Sequence, residues 1–172
     1  SYARQGTPTT AALEKQVTKM EKGTASVSFA SGMAALSAIF LTLLKAGDHL
    51  ISSRYIFGNT NSLFLTLQGF GVEVTLVDAT DVEQVKAARK ANTRMVFTET
   101  IATPGTQIAD LQGIGGWCAQ EGLLYVLDNT LSTPCLLTGR SVGAGLVMNS
   151  LSKYIAGHGQ ALGGMVTDTG LF

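Results

Sequence analysis

The chain predicts an α/β fold with a mostly parallel sheet flanked by helices. Three observations carry that prediction. Short apolar, β-branched segments alternate with segments of helical spacing along nearly the whole chain. The run Leu123-Leu124-Tyr125-Val126-Leu127 carries no charge and suits a strand covered on both faces. Residues that start or stop helices stand at the junctions: Thr7-Pro8-Thr9, Gly47-Asp48, Gly69 and Asp81.

In order, residues 10–22 are predicted helical because Leu13, Val17 and Met20 share one face. Residues 24–29 read as a short strand. Residues 32–45 are apolar and Ala-rich, a helix buried on most sides. A strand at 49–53 and a helix at 60–68 follow. Residues 72–77 are β-branched and form a strand. Asp81 is placed as N-cap of a helix at 82–90, where its carboxylate can accept free N–H groups of the first turn. Strands are expected at 94–98, 123–128, 146–150 and 163–167, and a helix at 111–120 that buries Trp117 beside Ile114. No repeat or linker interrupts the pattern, and 172 residues suffice for one domain with a sizeable core.

Acidic and basic residues balance at 12 each, and only 14% of the chain is charged. That composition gives no support for nucleic acid or an anionic membrane as partner. The longest apolar stretch, residues 34–44, is too short to span a bilayer. Cys118 and Cys135 make no disulfide framework and are expected to be small buried hydrophobes in a reducing, cytoplasmic setting. His49 and His158 lack metal-ligand spacing and are expected in loops or at the surface. The chain does not start with Met, which suggests a fragment or a processed product.

In such sheets ligands bind outside the carboxyl ends of strands. Asp128 ends one predicted strand, and Ser150-Leu151-Ser152-Lys153 ends another. A turn aspartate, loop serines and a solvated lysine are ordinary features taken singly. Together they match what pyridoxal phosphate (PLP) needs: a lysine to form a Schiff base, and a carboxylate to keep the ring nitrogen protonated. The apolar and small neighbours of Lys153 (Leu151, Tyr154, Ile155, Ala156, Gly157) predict burial, which favours the neutral, nucleophilic amine. Ser31-Gly32-Met33 joins a strand to a helix, so Gly32 and Met33 offer backbone N–H groups to a phosphate. The Ser150 and Ser152 hydroxyls are placed to reach the same phosphate. No Walker motif or GxGxxG turn is present.

The motifs Tyr2-Ala3-Arg4, Ser31-Gly32-Met33-Ala34-Ala35, Phe57-Gly58-Asn59-Thr60, Asp128-Asn129-Thr130 with Thr133-Pro134, and Ser150-Leu151-Ser152-Lys153-Tyr154 occur in the order of a known family. The chain resembles the Cys/Met-metabolism PLP-dependent enzymes, a group of cystathionine γ-synthases, cystathionine lyases, methionine γ-lyases and O-acylhomoserine sulfhydrylases. The resemblance implies the large domain of PLP fold-type I, with Lys153 as Schiff-base lysine and proton shuttle. It implies that Asp128 pairs with the pyridinium nitrogen, that Gly32, Met33, Ser150 and Ser152 hold the phosphate, and that Thr130 belongs to the cofactor site. Phe57 takes the stacking position on the ring. Tyr2 and Arg4 are implied to reach the phosphate of a neighbouring subunit, in a homotetramer built from dimers with shared active sites.

Two departures from the family pattern stand out. The stacking residue is usually Tyr, and Phe57 has no proton to donate. In Glu99-Thr100-Ile101-Ala102-Thr103-Pro104, Thr103 replaces an Asn that contacts the ring hydroxyl. Tyr55 is not expected to supply the missing phenol. Residues 1–172 are expected to be most of a cofactor-binding domain, without the family's N-terminal arm and C-terminal domain, and inactive alone. The expected reaction is γ-replacement on an O-acylhomoserine, a small amino-acid substrate. The alternatives are a lyase of the same family, or a non-catalytic α/β module that keeps the fold.

Overall fold

The computed structural model describes residues 2–172. Its seven strands are β1 (Ala25–Phe29), β2 (His49–Ser53), β3 (Glu73–Val77), β4 (Thr93–Glu99), β5 (Leu124–Asp128), β6 (Leu146–Ser150) and β7 (Gly164–Asp168). They form one sheet in the order β1-β7-β6-β5-β4-β2-β3. The pairs from β3 through β2, β4 and β5 to β6 are parallel, and β7 runs antiparallel to both β1 and β6. The expected mostly parallel sheet is thus present, with one strand reversed.

The helices are α1 (Pro8–Met20), α2 (Gly32–Leu43), α3 (Gly58–Gly69), α4 (Val82–Ala87), α5 (Leu111–Glu121) and α6 (Thr133–Leu136). Thr7 caps α1 by accepting the Thr10 N–H, with Pro8 at the first turn, and Asp81 caps α4 by accepting the Glu83 N–H. α4 stops at Ala87, short of residue 90, and the Lys90 N–H goes to the Thr93 hydroxyl at 2.8 Å and not to a helical carbonyl. Arg89 pairs with Glu121 and Lys90 with Glu73, both at 2.8 Å. The four-residue α6 is too short for a periodicity to announce.

Both faces of the sheet are covered, so β2 and β5 are buried along their whole length. On one face α2 and α3 bring Phe40 and Phe64 against Phe97 of β4, with ring centroids 5.3–5.9 Å apart in edge-to-face pairs. On the other, Val85 of α4 and Ile114, Trp117 and Cys118 of α5 pack on Ile51, Val96, Tyr125 and Val147. Burial of each such large side chain contributes roughly 1.5–3 kcal/mol. α2 is less enclosed than its composition predicts, since Leu41 and Leu43 face outward.

Two further expectations need correction. His49 is neither in a loop nor at the surface. It lies fully buried in β2, its ring nitrogens 2.7 Å from the Thr93 hydroxyl and 2.8 Å from the Thr75 hydroxyl. Burial, helped by Lys90, holds its pKa below the usual value, against the opposing charge of Glu73. Cys118 is buried as expected, but Cys135, in the outward-turned α6, is exposed. No helix among the described residues is long and apolar enough to cross a membrane.

Candidate active site

β4, β5 and β6 lie side by side and parallel, so Glu99, Asp128 and Ser150 emerge together at their carboxyl ends. The register sets Glu99 directly opposite Asp128. The starts of α2 and α3 and the turn after β6 close the space above them. The result is a cavity of about 280 Å³ whose lining includes Gly32, Met33, Phe57, Thr130, Ser152 and Lys153.

Asp128 is only 8% exposed. Its Oδ1 accepts the Thr130 N–H at 3.0 Å and the Thr130 hydroxyl at 2.5 Å. That hydroxyl itself accepts the Ser150 N–H at 2.8 Å, which leaves its own proton for Asp128. Thr130 therefore links the ends of β5 and β6 and fixes the carboxylate. Oδ2 makes no hydrogen bond among the described residues. Burial lifts the Asp128 pKa to about 6, against the pull of the Thr130 bonds and the charge of Lys153. A cationic N–H at Oδ2 would relieve that cost.

Sequence reasoning assigned no role to Glu99, although it ends an apolar strand as Asp128 does. Its Oε1 accepts the Phe57 N–H at 2.6 Å and its Oε2 the Thr103 N–H at 2.9 Å. Burial, then the charge of Asp128, raises its pKa to about 7, while the bonds from Phe57 and Thr103 oppose the rise. Thr60 was also passed over. Its buried hydroxyl lines the cavity and has no partner among the described residues.

At the other end of the cavity, the Ser31 hydroxyl accepts the Ala34 N–H at 3.1 Å and starts α2. The N–H groups of Gly32 and Met33, in the first turn, lack intrahelical acceptors and stand at the positive end of the helix. A Cβ on Gly32 would come within 2.8 Å of the Ser150 Cβ, so only glycine lets α2 start this close to that hydroxyl. Ser152 accepts the Gly163 N–H at 3.0 Å and holds the Gly163 carbonyl at 3.3 Å. The latter is a long bond that an anion would outcompete. The donors at this end of the cavity suit an anion.

Lys153 lines the cavity, with Nζ 3.5 Å from the Ser150 Oγ. It is exposed, contrary to the burial expected from its neighbours. The chain turns sharply after Ser150, so Leu151 enters the core while Tyr154 stays 65% exposed. Tyr2 and Arg4 lie outside the cavity, exposed, with the Arg4 guanidinium 5.2 Å from the centre of the Tyr2 ring. Tyr55 also lies outside it and donates to Asp78 at 3.0 Å, so Phe57 receives no phenol from that side.

A family model for Cys/Met metabolism PLP-dependent enzymes matches residues 1–171. The chain is 41% identical over 167 residues to an L-methionine gamma-lyase of Fusobacterium nucleatum subsp. polymorphum, covering 96% of this chain and 42% of that protein. It is 36% identical over 173 residues to an O-acetyl-L-homoserine sulfhydrylase of Corynebacterium glutamicum, covering 99% and 40%. Among solved structures, metY of Campylobacter jejuni, which carries N′-pyridoxyl-lysine-5′-monophosphate, matches with TM-score 0.93 and 33% identity, over 97% of this chain and 42% of that one. The chain thus spans about two-fifths of the length of these relatives. Its mostly parallel seven-stranded sheet is that of PLP fold-type I. The chain belongs to the Cys/Met metabolism PLP-dependent enzyme family.

Proposed function

We propose that these residues form most of the cofactor-binding large domain of a PLP-dependent enzyme that performs γ-replacement on an O-acylhomoserine. The cavity fits the cofactor in chemistry. Gly32, Met33, Ser150 and Ser152 offer donors to its phosphate, the Asp128 Oδ2 would hold the ring N–H, and Lys153 is the amine beside both. When bound, the cofactor supplies a protonated ring that withdraws electrons from the substrate Cα.

The chain's own residues divide the remaining work. Asp128, steadied by Thr130, keeps the ring nitrogen protonated. The Lys153 Nζ would anchor the cofactor, take the Cα proton and then a Cβ proton as the γ-acyl group leaves as its carboxylate, and return protons to Cβ and Cα once the sulfur nucleophile has bonded to Cγ. Phe57 covers the ring and sheds water from it.

Phe57 carries the choice of reaction. An acyl group leaves as a carboxylate, whose conjugate acid has a pKa of about 4, so it needs no proton. A departing thiolate, with a pKa of about 8.5 for a Cys-like thiol, gains from a general acid. Phe57 has none to give. One observation favours a second reading, γ-elimination from a thioether: the 41% identity to a methionine gamma-lyase. In that case Lys153 would have to protonate the departing sulfur.

Tyr2 and Arg4 are proposed to serve the phosphate of a neighbouring subunit, in a tetramer of dimers. Their place outside the chain's own cavity supports that role. A non-catalytic module is the weaker reading, because Lys153 and Asp128 are both kept at one cavity. Product analysis of the full-length enzyme tests the proposal. It would be given O-succinyl- or O-acetylhomoserine with and without cysteine or sulfide, and cystathionine and methionine in parallel. A new thioether or thiol amino acid from the acyl substrates is expected. Rapid ketoacid release from cystathionine or methionine, without replacement, would overturn γ-replacement.

A further inference from the structure

We propose that Glu99 is a positioning residue for the cofactor: its one carboxylate fixes the backbone at Phe57 and at Thr103, and so sets the slot that a flat ring enters above Asp128. This rests on the PLP reading above. The observation is a side chain 5% exposed that joins three separate segments: the end of β4, the entry to α3 and the loop after β4.

Phe57 is the N-cap residue of α3 and makes no side-chain cap of its own. The position of its ring therefore depends on what holds its backbone, and Glu99 does so through a short, charge-assisted bond of 2.6 Å. The second oxygen holds Thr103 at 2.9 Å, and Ile101 and Thr103 line the same cavity.

The location of Glu99 is electrostatically costly. It stands in register with Asp128, with like charge against like charge. A glutamine would avoid that repulsion, but the two N–H groups meet different oxygens of Glu99, and an amide puts a donor NH2 in place of one of them. Only a carboxylate clamps both backbones. A cationic ring over Asp128 would offset the repulsion, so the clamp and the cofactor support each other.

The test uses the full-length protein, stripped of cofactor and titrated with pyridoxal phosphate. Its readouts are the dissociation constant, the visible circular dichroism of the bound cofactor and the thermal midpoint. Glu99→Gln is expected to weaken cofactor binding about ten- to a hundred-fold, as loss of a hydrogen bond to a charged group implies. It should also reduce the visible dichroism, which a purely structural role would leave alone. In a Phe57→Ala background the effect should shrink to the part carried through Thr103. Binding and dichroism equal to the parent, or an effect undiminished by Phe57→Ala, would overturn the role. If Glu99→Gln does not fold, Glu99→Asp decides by the same readings, because it keeps the charge but cannot reach both N–H groups. A parent that shows no cofactor band contradicts the PLP reading itself; a normal parent with an unaffected variant contradicts only the role of Glu99.

Discussion

Phe57 keeps the aromatic face of the site and lacks a phenol, so restoring one is informative. In the full-length enzyme, Phe57→Tyr should raise elimination from cystathionine by on the order of tenfold or more, the scale of a restored general acid. Turnover of the acyl substrates should change little. Initial rates on both substrates check this, and an unchanged ratio would contradict it. Thr130 makes a different demand. Thr130→Val would orphan the Ser150 N–H and take a donor from Asp128, at a cost of roughly 1–3 kcal/mol in urea unfolding. Asp128 was legible because a carboxylate closing an apolar strand needs a partner. The same signal stood at Glu99, but its partners are backbone N–H groups at Phe57 and Thr103, which no side-chain pattern announces. The place of Lys153 at the cavity was legible and its exposure was not, because the turn after Ser150 depends on how Leu151 reaches the core.

Among elements, the caps were the most readable feature. Thr7 and Asp81 each cap a helix, and this signal is local in the chain. His49 was misread for the opposite reason: its partners, Thr75 and Thr93, come from β3 and β4, and their approach depends on strand order. β7 and the start of α2 also meet only in three dimensions. A Cβ on Gly164 would collide with the Ser31 carbonyl, immediately before Gly32 and Met33 at the start of α2. Gly164→Ala should therefore cost about 1–3 kcal/mol through overpacking. It should also weaken cofactor binding, by shifting Gly32 and Met33 away from Ser150. Thermal unfolding and cofactor titration of the full-length variant check both, and normal affinity would argue against this coupling.

At the scale of the whole molecule, alternating segments made the α/β class legible, but not the order β1-β7-β6-β5-β4-β2-β3 or the reversal of β7. Pairings between distant segments are set by packing on both sheet faces, which one-dimensional periodicity does not encode. That order brings two buried carboxylates together, and stability then depends on pH. Burial lifts Asp128 to about 6 and Glu99 to about 7, whereas both titrate near 4 when unfolded. Between those values the folded, cofactor-free protein holds protons that the unfolded chain has released. Stability from these groups is thus lost as pH rises from about 4 to about 7. A cation at Asp128 cancels part of that loss. The difference in thermal midpoint between cofactor-loaded and cofactor-free full-length protein should therefore widen from about pH 5 to about pH 8, and a constant difference would contradict this electrostatic account.

The central claim is that Lys153 carries the cofactor, and it can be read directly. The full-length protein with pyridoxal phosphate is reduced with borohydride, digested and mapped by mass spectrometry. The pyridoxyl group should be found on the peptide containing Lys153, and on no peptide in Lys153→Ala. Modification of a different lysine, or of none, would contradict it.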